Sequence, residues 1–568
     1  MTTTLSSPQY PFWLRLLRWL AALIAFALIF AALYTLYWNI GGVLRPIPAG
    51  PGYHFVPYFT GETATANPLL AFDVPQNPYM AATVSNNMHN DGYITDTYEV
   101  SGPLGDNPRV ESRSFGSIAG MCPSPNFDSN GRIVTVCVQL DRQDLYLLDA
   151  DTLETLATYP MPMRPSIQQG LGATSNDTSG GAYFYLDHLD QAVIAASDLT
   201  LKVIGQVETA DGFAFELVEE YDLREAVMLP DGTEDTITTT MPDWDGRYWF
   251  VTRNGIIGTV DRDTGDIQTL FIEGEEFQNS FAVGQDAVYM VSDYALYRLE
   301  ADPDTGTPQV IWRETYDRGT FVKPGLLVQG SGTTPTLLGE DFVAIADNAD
   351  DRTSVLVYWR DPEIEDRLVC QTPVFEEGRS ATENTLIGYN DSLIIENNYG
   401  RYLFTEMMFG RTAEPGIARV DINADRTDCE VVWTNDEIGQ APVPKLSIGN
   451  GLVYTHVKAD DAPPLVDAFY LAAIDFETGE TVYKLLTGTS FMHANNGGPV
   501  TLGPDGTLYM SVLNGIVTVR DTDTPQNTFG QIAAARLPEI LLLTLSAAIV
   551  GVVMWWTRPR NRNTGDMA

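Results

Sequence analysis

Lysine is scarce in this sequence, and basic side chains of any kind are few: five of the 568 residues are lysine, and 33 basic residues stand against 75 acidic ones for a formal net charge of -42. Recognition of a phosphate backbone needs a clustered basic footprint, so nucleic acid is excluded as a partner. The acidic excess reads as a solvated, self-repelling surface. Cysteine is sparse too. Cys122, Cys137, Cys370 and Cys429 form no C-x-x-C and no Cys/His cluster at metal spacing, which leaves zinc and haem attachment without support. Cys122 and Cys137 flank the turn "NFDSNGR", where they are placed to close a hairpin, and Cys370 is free by count to pair with Cys429. All four are disulfide candidates suited to an oxidising compartment.

Several signatures of chemistry are missing as well. "GSGTTPT" (330–336) lacks the lysine of a phosphate loop and leads into a strand, and no G-x-S-x-G stands in a strand–helix context. "DNADDR" (347–352) lacks the downstream glutamate of a calcium-binding helix–loop–helix. With five histidines in the chain, conventional general-base chemistry has few places to reside.

What is present is ample apolar material, 44% of the chain, with aromatics making up 11% of the chain, enough for a packed core. Two runs belong to no soluble core. Residues 19–38 carry no charge over 20 positions and residues 540–557 none over 18, each long enough at 1.5 Å per residue to cross a hydrocarbon layer. Arg15 and Arg18 precede the first run, and Arg558, Arg560 and Arg562 follow the second. The positive-inside rule therefore puts both termini in the cytoplasm and everything between the runs outside. Trp19, Trp38, Trp555 and Trp556 sit where an interfacial aromatic belt would hold them. No A-x-A site follows the first run, which favours an uncleaved anchor over a signal peptide.

Between the anchors one pattern recurs eight times: an apolar strand, a turn rich in Gly, Asp or Asn, and a β-branched or aromatic strand. The copies span 122–139, 172–187, 239–253, 280–293, 335–348, 384–397, 445–458 and 499–512. Their spacing of roughly 40 to 70 residues is that of propeller blades. Most copies continue through a join such as "YLAAIDFETGETVYKLL", an apolar strand ending at Asp, an Asp/Thr/Gly turn and an outer strand. Four antiparallel strands per unit leave two apolar faces, which are buried only by stacking on further copies and closing the ring. The last copy has no fourth strand, while "NPRVESRSFG" (107–116) supplies an extra one before the first. The expected fold is all-β, an eight-bladed β-propeller of four-stranded antiparallel blades flanked by two transmembrane helices.

The corresponding map is a cytoplasmic N-terminus (1–18), a first transmembrane helix (19–44), an extracytoplasmic linker or cap (45–106), and the propeller (107–525), with 107–116 closing its last blade. A linker (526–539), a second transmembrane helix (540–557) and a basic cytoplasmic tail (558–568) follow.

The join Asp-x-x-Thr-Gly-x-x-x-aromatic, as at Asp475, Thr478, Gly479 and Tyr483, resembles the repeat of the quinoprotein-like propeller superfamily over roughly residues 105–525. That resemblance implies the fold. The superfamily includes quinone-dependent dehydrogenases with two adjacent cysteines at the quinone; here no two cysteines are neighbours, which counts against that chemistry.

Polar residues at the starts of inner strands would converge on the channel. Asn279, Glu383, Asn384 and Asn496 form one such set, and carboxylate and amide oxygens around an axis are the ligands Ca²⁺ takes, as in the lactonase propellers this arrangement resembles. The non-repeat segment "SNNMHNDGYITDTYEVSGPLG" (85–105) brings His89, Asp91, Tyr93, Asp96 and Tyr98 to the closing strand, and Met492-His493 precedes the blade that this strand completes. His89 and His493 are the acid–base candidates. The leading functional expectation is a plasma-membrane-anchored, extracytoplasmic propeller acting as a binding or assembly scaffold for envelope proteins or for a ligand at the channel mouth. The alternative is a divalent-metal-dependent hydrolase or lactonase, and after it a quinone-dependent dehydrogenase.

Overall fold

A computed structural model describes residues 12–39, 52–115, 120–169, 177–401, 413–463, 466–495, 497–524 and 529–556. It divides into a helical unit made of the two chain ends and a β unit between them.

The helical unit pairs Phe12–Asn39 with Phe529–Trp556. Arg18 Nη2 donates to the Met554 carbonyl at 2.8 Å, and the Tyr34 hydroxyl donates to Glu539 at 3.2 Å. Low numbers meet high ones, so the helices run antiparallel. Each holds a stretch long and apolar enough to cross a membrane, Phe12–Tyr34 and Leu537–Trp556. The second window takes in one ionisable group, Glu539, ahead of the uncharged run read from the sequence.

The β unit is a ring of eight blades, each built on four antiparallel strands numbered outward from the axis. Blades 1 to 7 cover residues 120–161, 185–222, 237–271, 282–315, 336–373, 387–435 and 445–488. Blade 8 takes three strands from 500–520 and its outermost from the other end of the unit: Arg109–Ser114 pairs antiparallel with Gly515–Arg520. Seven of the eight repeats seen in the sequence fall on the first two strands of a blade. In the second, the strands lie further on, at Tyr185–Leu186 and Ala192–Ala195. There the glycine signal misleads. Gly180 and Gly181, both at positive φ, lie ahead of the first strand, whereas the true turn is closed by Asp187, whose Oδ1 accepts from the amides of Leu189 and Gln191 at 2.9 Å each.

The joins repeat in structure as in sequence. The carboxylates of Asp149, Asp261, Asp302 and Asp475 each accept from the amide of the threonine three residues on, at 2.8 to 2.9 Å. An Asx turn of this kind fixes where the third strand stops. Core packing is between blades, with large aromatics spanning the seams: Tyr389 of blade 6 meets Phe476 of blade 7 edge-on at 5.4 Å, and Tyr509 of blade 8 meets Phe127 of blade 1 at 5.2 Å. Disulfides add two covalent ties, Cys122–Cys137 within blade 1 and Cys370–Cys429 between the outer strands of blades 5 and 6.

Residues 59–104 take a long inward path. Phe59–Gly61 adds a strand outside blade 7, and Thr97–Tyr98 adds one inside it, parallel to Lys445–Ser447. The innermost strands of any propeller present unpaired backbone groups to the channel, and buried groups of that kind need partners. Here the partners come from the carbonyls of Ser85, Asn86, Gly92, Tyr93, Thr95 and Asp96, which accept from the amides of Phe127, Leu186, Val283, Leu337, Gly388 and Leu446 at 2.7 to 3.0 Å. Those amides belong to blades 1, 2, 4, 5, 6 and 7, so the segment is a plug bonded around the axis. Asn90, Ile94 and Asp96 turn it tightly at φ of 62°, 61° and 54°. For a β-branched residue such as Ile94 that conformation is costly and persists because the surroundings hold it.

Candidate functional site

The plug makes the channel blind. Above it lies a cavity of about 180 Å³ whose floor is Met88 and His89 and whose wall is the leading ends of inner strands from several blades. Met121, Val138, Leu327 and Leu513 make much of the wall apolar, while Arg164, Asn279, Glu383 and Arg401 put polar groups among them.

His89 is buried, 2% exposed, and its Nδ1 lies 3.1 Å from the Asp96 carboxylate. Asp96 also receives the Lys445 ammonium, which donates a second bond to the Met88 carbonyl at 2.7 Å. Burial pulls the Lys445 ammonium down, and Asp96 opposes that shift. An ionised Asp96 places the histidine proton on Nδ1, so Nε2 presents its lone pair. Nε2 is buried and takes no hydrogen bond among the described residues. The ring stacks on Tyr183, centroids 6.3 Å apart, itself in the cavity wall. Asp91, beside this group and bonded to Thr95, is pushed up to about 6 by burial.

Asn279, Glu383 and Asn384 also line the cavity, from the approaches to blades 4 and 6. The Glu383 carboxylate accepts from the Leu327 amide at 3.1 Å, and burial pushes it up to about 7. Both amide side chains spend their N–H groups on structure: Asn279 donates to the carbonyls of Ser331 and Thr333, and Asn384 to Glu396 and the Pro442 carbonyl. Glu396 lies behind the wall and is pushed up to about 8 by burial, with Thr455, Asn398 and Asn384 bonded to it. Asn496 lies outside the described residues. Among the described residues no three His, Cys, Asp or Glu side chains are grouped to hold a metal ion, and arginines share this wall.

His493 is not among the cavity-lining residues. It packs over Gly488 with its Nδ1 3.0 Å from the Ser490 hydroxyl. Three contributors were not singled out from the sequence: Arg164, Tyr183 and Lys445. Lys445 left a signal, since a charge opens the otherwise apolar strand "KLSIG" in a chain with so few lysines. Arg164 left almost none, sitting in the ordinary loop "MPMRPS".

No family model matches the chain. A curated protein of Archaeoglobus fulgidus described as an uncharacterized protein is 26% identical over 313 residues, 49% of this chain and 60% of that protein. The match thus spans about three-fifths of the relative's length. Among solved structures, BamB of Moraxella catarrhalis is 14% identical, covering 60% of this chain and 93% of its own at a TM-score of 0.31. A streptogramin B lyase is 12% identical over 73% of this chain and 97% of its own at 0.35. The virginiamycin B lyase of Staphylococcus aureus is 9% identical over 73% and 100% at 0.36. The propeller itself stands on the strand pairing described above.

Proposed function

We propose that this protein is a membrane-anchored, extracytoplasmic binding propeller whose axial cup receives a small amphipathic solute. One observation carries the reading: a blind cavity at the channel mouth with an apolar wall and a few convergent polar groups, the ordinary build of a small-molecule site. Cavities of about 150 Å³ bind benzene, so the volume of about 180 Å³ suits a body of one ring or a short branched chain. The antiparallel helices, their arginine flanks and the two disulfides support anchoring with the propeller in an oxidising compartment. An envelope protein seated on the ring is a further form of the same scaffold role.

The test is thermal melting of the full chain in detergent against neutral and charged single-ring compounds, beside the variant Ala182→Phe, which fills the cup. Compounds that raise the melting temperature of the native chain and not of the variant support the reading by mass action. Equal shifts in both, or none in either, overturn it. For the anchoring, protease added to spheroplasts should digest the propeller and spare a C-terminal tag; loss of the tag refutes the topology.

A second reading, hydrolysis of an ester or lactone, rests on the His89 and Asp96 pair. His89 Nε2 would take a proton from water as that water attacks the carbonyl. Turnover of such substrates that disappears in His89→Gln supports it, and turnover unchanged in that variant or unaffected by added chelator removes, respectively, the histidine and the metal from the reaction.

A further inference from the structure

Three arginines are buried among the described residues: Arg164, Arg298 and Arg360. Arg298 and Arg360 both contact the Asp286 carboxylate, at 2.9 and 2.5 Å. Arg164, 6% exposed and lining the cup, contacts no carboxylate within ion-pair distance among the described residues. Its Nη1 donates to the Asp177 backbone carbonyl at 2.7 Å. Asp177 is near enough to act on it electrostatically, but that carboxylate is occupied by the hydroxyls of Ser166 and Ser179 and the Ser179 amide. Among the described residues the Nε–H and Nη2–H of Arg164 have no hydrogen-bond partner. These two point the same way and form the edge with which a guanidinium grips a carboxylate through two parallel bonds. Leaving N–H groups of a buried cation without hydrogen-bond partners is costly, so proteins rarely keep them so without a use. Burial lowers its pKa to about 10, which leaves it a cation at neutral pH.

We infer that the solute of the cup is a small monocarboxylate with an apolar body, its carboxylate gripped by the Nε and Nη2 edge of Arg164 once that side chain turns the edge into the cup. This rests on the reading of the cup as a binding site. The apolar wall takes the body, and Arg164 takes the head. A single negative charge fits better than two because Asp177 and Glu383 share the cavity wall, and the net charge of -42 opposes polyanions.

The experiment is ligand-observed saturation-transfer NMR on the detergent-solubilised full chain with benzoate, its neutral counterpart benzamide, and inorganic phosphate. Charge-assisted bonds of this kind amount to roughly a tenfold to hundredfold affinity difference. Benzoate should bind at least about tenfold more tightly than benzamide, and Arg164→Met should erase that difference. Arg164→Lys, which keeps the charge and loses the fork, should also weaken benzoate and serves if the Met variant does not fold. Benzamide binding as well as benzoate, or benzoate held equally by the variants, overturns the carboxylate assignment and leaves the cup reading intact. Arg164-dependent binding of phosphate without benzoate overturns the apolar body. Binding of none of the three sinks the cup reading together with this inference.

Discussion

Asp96 holds both His89, whose Nδ1 lies against the two carboxylate oxygens, and Lys445, which bonds to Oδ1, inside a plug whose backbone is bonded to six blades. Asp96 and Lys445 are fully buried. A pair in that position fixes the plug's conformation and the direction of the His89 ring at once.

Lys445→Met therefore leaves a buried carboxylate without its cation, a change that costs about 3–5 kcal/mol in comparable pairs. Denaturant unfolding should show that loss, and the double variant Asp96→Asn with Lys445→Met should recover a large part of it. A single variant as stable as the native chain would show that the pair is not closed in solution.

Glu396 predicts a pH dependence. Its carboxyl is raised from 4.5 to about 8, so the folded state favours its protonated form. Stability from this group is fully present below 4.5 and is lost as pH rises through about 8. Melting temperatures should fall over that interval. Glu396→Gln, which keeps an oxygen for Asn384 and Asn398, should flatten this part of the fall, matching the native chain at pH near 4 and exceeding it at pH near 8. An unchanged slope in the variant would place the titration elsewhere.

The disulfide between Cys370 and Cys429 spans 59 residues and crosses a blade seam. By loop entropy, its removal in a Cys370→Ala, Cys429→Ala variant costs about 4 kcal/mol, against about 3 for the 15-residue loop of Cys122–Cys137. Calorimetric melts of the two paired variants compare them. A larger loss for the shorter loop would argue that packing within blade 1, rather than chain entropy, governs the ties.

Hydrogen exchange tests the plug. The amides of Val283, Leu337, Gly388 and Leu446 face the axis and donate to plug carbonyls. They should exchange as slowly as amides between neighbouring strands of the same blades. Exchange at the rate of exposed loops would mean that the channel is open.

The ring was legible because the repeat writes its turns in Gly, Asn and Asp and its joins in Asp and Thr, whose side chains bond the local backbone wherever the blade sits. Blade 2 was displaced because its turn uses Asp187 without glycine. The cup was legible only in pieces. Glu383, Asn384 and Asn279 stand at strand starts, a position sequence order reveals, and His89 stood out as a rare residue in an unusual segment. That the same segment threads the axis and bonds blades far apart in the chain is a long-range fact with no local pattern. Arg164 is meaningful because its Nε–H and Nη2–H find no partner among the described residues, and such an absence is not written in a sequence.

The first part of the β unit to leave the ribosome is the last to find its partners. Plug carbonyls from 85 to 96 await amides as far along as Leu446, and Arg109–Ser114 awaits Gly515–Arg520. Folding in step with synthesis cannot finish early at this fold, since the plug has all six of its blades only once Leu446 has been made and the ring closes only with Gly515–Arg520. A chain halted before its final blade would thus leave Arg109–Ser114 unpaired and the ring open between blades 7 and 1, with bare strand edges by which surveillance proteases can tell an unfinished copy from a completed one.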